Sequence, residues 1–128
     1  IRLGFEIVTL DGEIALLAHS YHLTPHRLGK YFVKVDNINR VIVPCIENAI
    51  EQADLIIIDE IGKMELLSPL FQQAVLKSLA SSKKVLGTIT KGNLPFIAKI
   101  KSRADVVLIE LRRDNQKEVY QFIIDNLV

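Results

Sequence analysis

The chain has 128 residues, 49% of them hydrophobic and 24% charged, with a formal net charge of +1. That composition excludes a disordered chain, and the single cysteine, Cys45, excludes a disulfide scaffold. The near-neutral charge gives no electrostatic ground for a nucleic-acid or membrane partner, and no apolar run is long enough for a membrane span.

Residues 3–10 and 13–18 read as two strands joined by Asp11-Gly12, a type I′ hairpin signal. His19 to Lys30, with Pro25 and Gly29, reads as a loop. Its three histidines, His19, His22 and His26, have helical spacing, but Pro25 lies among them, so a solvated basic loop is preferred over a metal site. Tyr31 to Val35 reads as a strand. A helix to about Ala53 follows, capped by Asp36 or Asn37. Its apolar stripe is Ile38, Val41, Ile42, Cys45, Ile46, Ala49, Ile50 and Ala53, with Pro44 interrupting.

Leu55 to Ile58 is an unbroken aliphatic run, the pattern of a central strand buried on both faces. Ser68 and Pro69 are the cap and first residue of a helix whose stripe is Leu70, Phe71, Ala74, Val75 and Leu79. Val85–Ile89 predicts a strand, 95–101 a short helix, and Val106–Leu111 a further strand. Asp114 is placed to cap a last helix carrying Val119, Phe122, Ile123 and Leu127. Helices and strands alternate from Asp36 onward, which predicts an α/β fold with a mostly parallel sheet covered by helices on both faces. No domain boundary is visible, so residues 1–128 read as a single domain.

Ligands of open parallel sheets bind at the carboxyl ends of strands. Asp59-Glu60, Thr88 and Glu110 fall there. Four aliphatics followed by Asp-Glu have the form of a Walker B motif. The first carboxylate, Asp59, holds Mg²⁺ through its water shell, and the second, Glu60, accepts a proton from attacking water. Acidic residues also end buried strands simply because the chain has reached solvent, so the short motif alone leaves both readings open.

The longer string Asp59-Glu60-Ile61-Gly62-Lys63-Met64-Glu65-Leu66 resembles the signature of the THEP1-type nucleoside-triphosphatases, a P-loop family. Gly4-Phe5, Gly29-Lys30-Tyr31, Val43-Pro44, Ser68, Phe71, Gly87-Thr88-Ile89, residues 107–111 and Asp114-Asn115 extend the likeness in order along the chain. The resemblance implies a RecA-like P-loop core with an added β-hairpin. It implies Mg²⁺-dependent hydrolysis of nucleoside triphosphates such as ATP and GTP, with broad nucleotide tolerance. Asp59 would be the metal-associated carboxylate and Glu60 the catalytic base. Lys63 is either a nucleotide contact or a solvated lysine in a turn, and Thr88 either senses the γ-phosphate or bonds to backbone. Gly62 serves the turn, and Glu65 caps or pairs locally. Gln116 departs from the family's tendency to arginine after the asparagine.

The 128 residues contain no G-x-x-x-x-G-K-S/T phosphate loop: Gly29-Lys30 precedes Tyr31 and Gly62-Lys63 precedes Met64. The expectation is therefore a carboxyl-terminal part of the enzyme domain, without first strand, P-loop and first helix. Alone it should be inactive, and poorly stable or prone to associate. Two alternatives stand beside hydrolysis: a nucleotide-kinase-like phosphotransferase, and a non-catalytic remnant. A cytoplasmic location is expected from the lone cysteine and the lack of a signal pattern.

Overall fold

A computed structural model describes all residues, Ile1–Val128. The chain divides into two compact units, Ile1–Thr90 and Lys91–Val128, where the sequence shows no boundary.

The first unit opens with an antiparallel sheet. Its strands are β1 (Gly4–Val8), β2 (Ile14–His19), β3 (Arg27–Leu28) and β4 (Tyr31–Val33), in the order β1-β2-β4-β3. The first hairpin is wider than a type I′ turn. Thr9 N–H donates to Glu13 O, and Gly12 N–H to Thr9 O. Only Gly12, at φ 96°, takes a positive φ, because Asp11 pays a steric penalty there that glycine does not. β3 lies inside the predicted loop. Gly29, at φ 60°, lets the chain reverse between Leu28 and Tyr31, so two residues join the ladder. Phe5 faces Ala18 while Glu6 faces Leu16, so Leu17 is an extra residue bulged from β2.

The predicted helix from Asn37 is three pieces: α1 (Val35–Asn37), a π turn (Ile38–Ile42) and α2 (Val43–Gln52). Neither Asp36 nor Asn37 caps it; Lys34 holds the cap position without a side-chain bond. Pro44 cannot donate a helical hydrogen bond and crowds the preceding turn. The π turn absorbs this, with Val43 N–H reaching back to Ile38 O. One extra residue in that turn rotates everything after it. The buried positions become Ile38, Val41, Val43 and Ile46, and Cys45, expected on the apolar stripe, is exposed.

β5 (Leu55–Ile61) and β6 (Lys84–Ile89) form a two-stranded parallel sheet. α2 packs on β5, α3 (Pro69–Ala80) on β6, and the two helices on each other. Ile56, Ile58, Ile46, Phe71, Ala74 and Val75 form this core. The expected burial of β5 on both faces is not observed: Ile57, pointing opposite to Ile56 and Ile58, is 51% exposed. Ser68 caps α3 as expected, its Oγ accepting from Phe71 N–H at 3.1 Å, and it also donates to Asn39 Oδ1. Since Ser68 is fully buried, Ser68→Ala should cost about 1–2 kcal/mol in thermal or urea unfolding.

The second unit holds α4 (Pro95–Lys101) and α5 (Gln116–Leu127). Residues 106–111, expected as a strand, belong to neither sheet, since a strand exists only through a ladder partner and none of the six strands pairs with them. Val107 is 71% and Leu111 63% exposed. Such a surface predicts concentration-dependent self-association, measurable by light scattering, and Val107→Lys should reduce it. Asp114 does not cap α5. Asn115 sits at the cap, while Asp114 accepts from Arg112 Nε at 3.0 Å. No residue of α5 is fully buried; Val119, Ile123 and Leu127 are half-buried and Phe122 is exposed.

Candidate active site

The site is built where β5 passes β6. Ile58 faces Gly87 and Ile61 faces Ile89, so Asp59 and Glu60 together oppose Thr88 alone. The acidic pair is therefore a bulge within the strand, and β5 runs on beyond it to a buried Ile61. Ladder bonds on both sides fix the bulge: Thr90 N–H donates to Ile61 O at 3.1 Å. A bulge re-aims side chains, and here both carboxylates are exposed on a backbone held at either end. The Asp59–Glu60 peptide is cis.

Thr88 Oγ1 donates to Asp59 Oδ1 at 2.7 Å. The hydroxyl thus orients the Asp59 carboxylate and leaves its other oxygen available. Lys63 is exposed in the turn after β5 and forms no ion pair with a carboxylate. Glu110, the third strand-end acid, is in the second unit, where it accepts from Lys91 Nζ at 2.9 Å. That bond, and the charge behind it, hold the Glu110 carboxyl below the usual range.

Glu65 is the residue whose weight the sequence does not convey. It opens a single 3₁₀ turn (Glu65–Leu67) and is only 9% exposed. A side chain added to Gly62 would put its Cβ 2.8 Å from Glu65 Oε1 and 2.9 Å from Glu60 Oε1. The bare glycine is what lets these carboxyls converge on the turn. The available signal was the pairing of glycine and glutamate three residues apart, which also occurs in ordinary turns. Burial raises the Glu65 pKa most, backbone N–H groups of Glu65 and Gly62 pull it down, and the Glu60 and Asp59 charges raise it further.

The pH consequence follows from linkage. The folded chain holds the Glu65 proton to higher pH than the unfolded chain does. Its contribution to stability is whole below the ordinary carboxyl value of 4.5 and is lost as pH rises through the folded value. Glu65→Gln keeps a hydrogen-bond acceptor and removes the titration. Its melting temperature should exceed the parent's at pH 7, with the advantage vanishing toward pH 4.

The acidic pair opens into a cleft of about 450 Å³. Its lining includes Phe5, Leu17 and Leu28 from the antiparallel sheet together with Asp59, Glu60 and Met64. The donor set suits Mg²⁺. This ion takes hard oxygen ligands, keeps several waters and shares the rest with substrate phosphates, so one or two exposed carboxylates are what it requires of a protein. No group of three or more His, Cys, Asp or Glu gathers elsewhere as a metal cage. The three loop histidines do not converge on a point: the His19 and His22 rings stack at 4.2 Å, and His19 Nδ1 accepts from Tyr21 N–H.

Comparison with known proteins gives the family. A family model described as NTPase matches residues 1–124. Nucleoside-triphosphatase THEP1 of Thermotoga sp. strain RQ2 is 46% identical over 126 residues, covering 98% of this chain and 72% of that protein. The protein of the same name from Thermotoga maritima is 45% identical over the same length. The crystal structure of THEP1 from the hyperthermophile Aquifex aeolicus superposes with a TM-score of 0.90 at 31% identity, covering 98% of this chain and 77% of that one. The solution structure of a human cancer-related nucleoside triphosphatase gives 0.77 at 32% identity, covering 98% and 73%. The class is thus an α/β enzyme of nucleoside-triphosphate hydrolysis. Within it, the chain belongs to the THEP1 nucleoside-triphosphatase family. No helix of the structure is long and apolar enough to cross a membrane.

Proposed function

We propose that the protein hydrolyses nucleoside 5′-triphosphates to diphosphate and phosphate with Mg²⁺, and with broad tolerance of the base. The observation that carries this reading is the bulged end of β5, where Asp59 is oriented by Thr88 and Glu60 stands free beside it. Asp59 would hold Mg²⁺ through water, and the ion, when bound, supplies positive charge against the phosphate oxygens. Glu60 orients a water and accepts its proton as the water oxygen attacks the γ-phosphorus in line. The rigid ladder around the bulge keeps that carboxylate aimed, so the chain contributes mainly positioning.

Triphosphate charge needs a cradle of backbone amides and a lysine, and no Walker A sequence occurs in these 128 residues. We read the 128 residues as the part of the enzyme domain that carries the acidic pair. The unpaired edge of β6 supports this, because it offers backbone groups to a further strand. On their own these residues should neither bind nucleotide tightly nor turn it over. The test is phosphate release from ATP, GTP, CTP and UTP with Mg²⁺ or EDTA. It is run on the chain alone and on the chain joined to a strand, G-x-x-x-x-G-K-S/T loop and helix. Mg²⁺-dependent release only in the joined form is the expected result. Release by the chain alone overturns the cradle argument, and release by neither overturns the hydrolytic reading in favour of a non-catalytic remnant.

A further inference from the structure

A carboxyl is costly to bury, and Glu65 is buried without an ion pair to offset that cost. An apolar side chain would fill the same turn at less expense to the fold, so the acid points to a use outside folding. Its place is specific. A single point lies 2.8 Å from Glu65 Oε1 and 2.9 Å from Glu60 Oε1, and that point is where a Gly62 Cβ would stand. The two carboxyls therefore share one small space over the turn, where Glu65 is buried and Glu60 exposed. The backbone N–H groups of Glu65 and Gly62 favour a charged carboxyl there. The backbone beneath is fixed: Leu66 N–H donates to Gly62 O at 3.0 Å, and Thr90 N–H to Ile61 O at 3.1 Å. The Glu60 side chain has no comparable hold, being exposed and without an ion pair. Its direction depends on what surrounds it.

We infer that Glu65 is the positioning residue of the hydrolytic base: it fills the space over Gly62 and so keeps the Glu60 carboxylate directed into the cleft. The inference rests on the reading of Glu60 as the base. Without the Glu65 side chain, the N–H groups of the turn lose their carboxyl acceptor. The Glu60 carboxylate, already beside them, takes the vacated place. Drawn in there, it no longer reaches the attacking water, and a misplacement of about 1 Å at a catalytic group can cost about a hundredfold in rate. Glu65 acts through Glu60 and takes no proton from the water. The role requires the space to be filled and an acceptor oxygen to be present, both of which glutamine supplies.

The test is Mg²⁺-dependent phosphate release by the joined form described above, in Glu65→Ala, Glu65→Gln, Glu60→Gln and the double variant Glu65→Ala with Glu60→Gln. Glu65→Ala should lower kcat by about tenfold or more with KM unchanged. Glu65→Gln should restore most of that loss. With Glu60→Gln already present, Glu65→Ala should cost nothing further, because no base remains to be aimed. Glu65→Asp, which withdraws the carboxyl by one methylene, carries the same expectation should Glu65→Ala fail to melt cooperatively. An unchanged kcat, a rise in KM alone, an equal loss with and without Glu60→Gln, or no restoration by Glu65→Gln overturns the inference while leaving hydrolysis intact. Full activity of Glu60→Gln removes the base reading, silence of the joined parent removes the hydrolytic reading, and either removes this inference with it.

Discussion

Glu60→Gln should lower kcat by two to four orders of magnitude in the joined, active form while changing KM little. Glutamine keeps the length, shape and hydrogen bonding of the side chain but cannot take a proton. The loss corresponds to about 3–5 kcal/mol of transition-state stabilisation. The fold should not notice: Glu60 is exposed, and the bulge that presents it is held by Ile58 on one side and Ile61 on the other. Steady-state phosphate release together with a thermal melt separates the two effects. A variant that retains more than a tenth of kcat would move the base elsewhere. Asp59→Asn is the companion: it should raise the Mg²⁺ concentration needed for half-maximal rate, because it weakens the carboxylate that Thr88 orients.

Gly62→Ala should also slow the reaction, though less than Glu60→Gln and though no atom of Gly62 takes part in chemistry. The new methyl group would meet Glu65 Oε1 and Glu60 Oε1 at 2.8 and 2.9 Å. These distances are too short for a carbon and an oxygen, so something must move. Glu65 is buried and bonded to the turn, while Glu60 is exposed, so Glu60 gives way. A displacement of about 1 Å at a catalytic group can cost a hundredfold in rate. The expected result is a fall in kcat of about tenfold or more, with a melting temperature within a few degrees of the parent's. If the melting temperature collapses instead, Gly62 serves the fold, and the crowding at Glu60 is incidental.

The pattern of four aliphatics and two acids at 55–60 was legible without any structure. The packing was less regular than that pattern: Ile56 and Ile58 are buried while Ile57 is exposed, and the acids form a bulge within β5, which runs on to Ile61. The Ser68 cap and the helix it opens were legible because the signal is local: the capping hydroxyl and the N–H that donates to it are three residues apart. Local signals failed where regular pitch failed. Pro44 forced a π turn, the helix phase shifted by one residue, and Cys45 moved from the expected stripe to the surface. The extended pattern of 106–111 could not become a strand by itself, because a strand needs a partner's backbone as well as its own.

What the sequence by itself determined is the acidic pair, the order of helices and strands from α2 to α4 and, through the long string from Asp59 to Leu66, the family. Tertiary structure alone decided how the pair is held. Thr88 and Asp59 are 29 positions apart, and only the β5–β6 register, with one residue extra in β5, sets the hydroxyl against the carboxylate. The burial of Glu65 and the meeting of Phe5, Leu17 and Leu28 with Glu60 in one cleft likewise depend on packing between elements distant in the chain. Local composition sets which residue types reach a strand end. The register between strands sets which of their atoms meet, and the chemistry depends on those meetings.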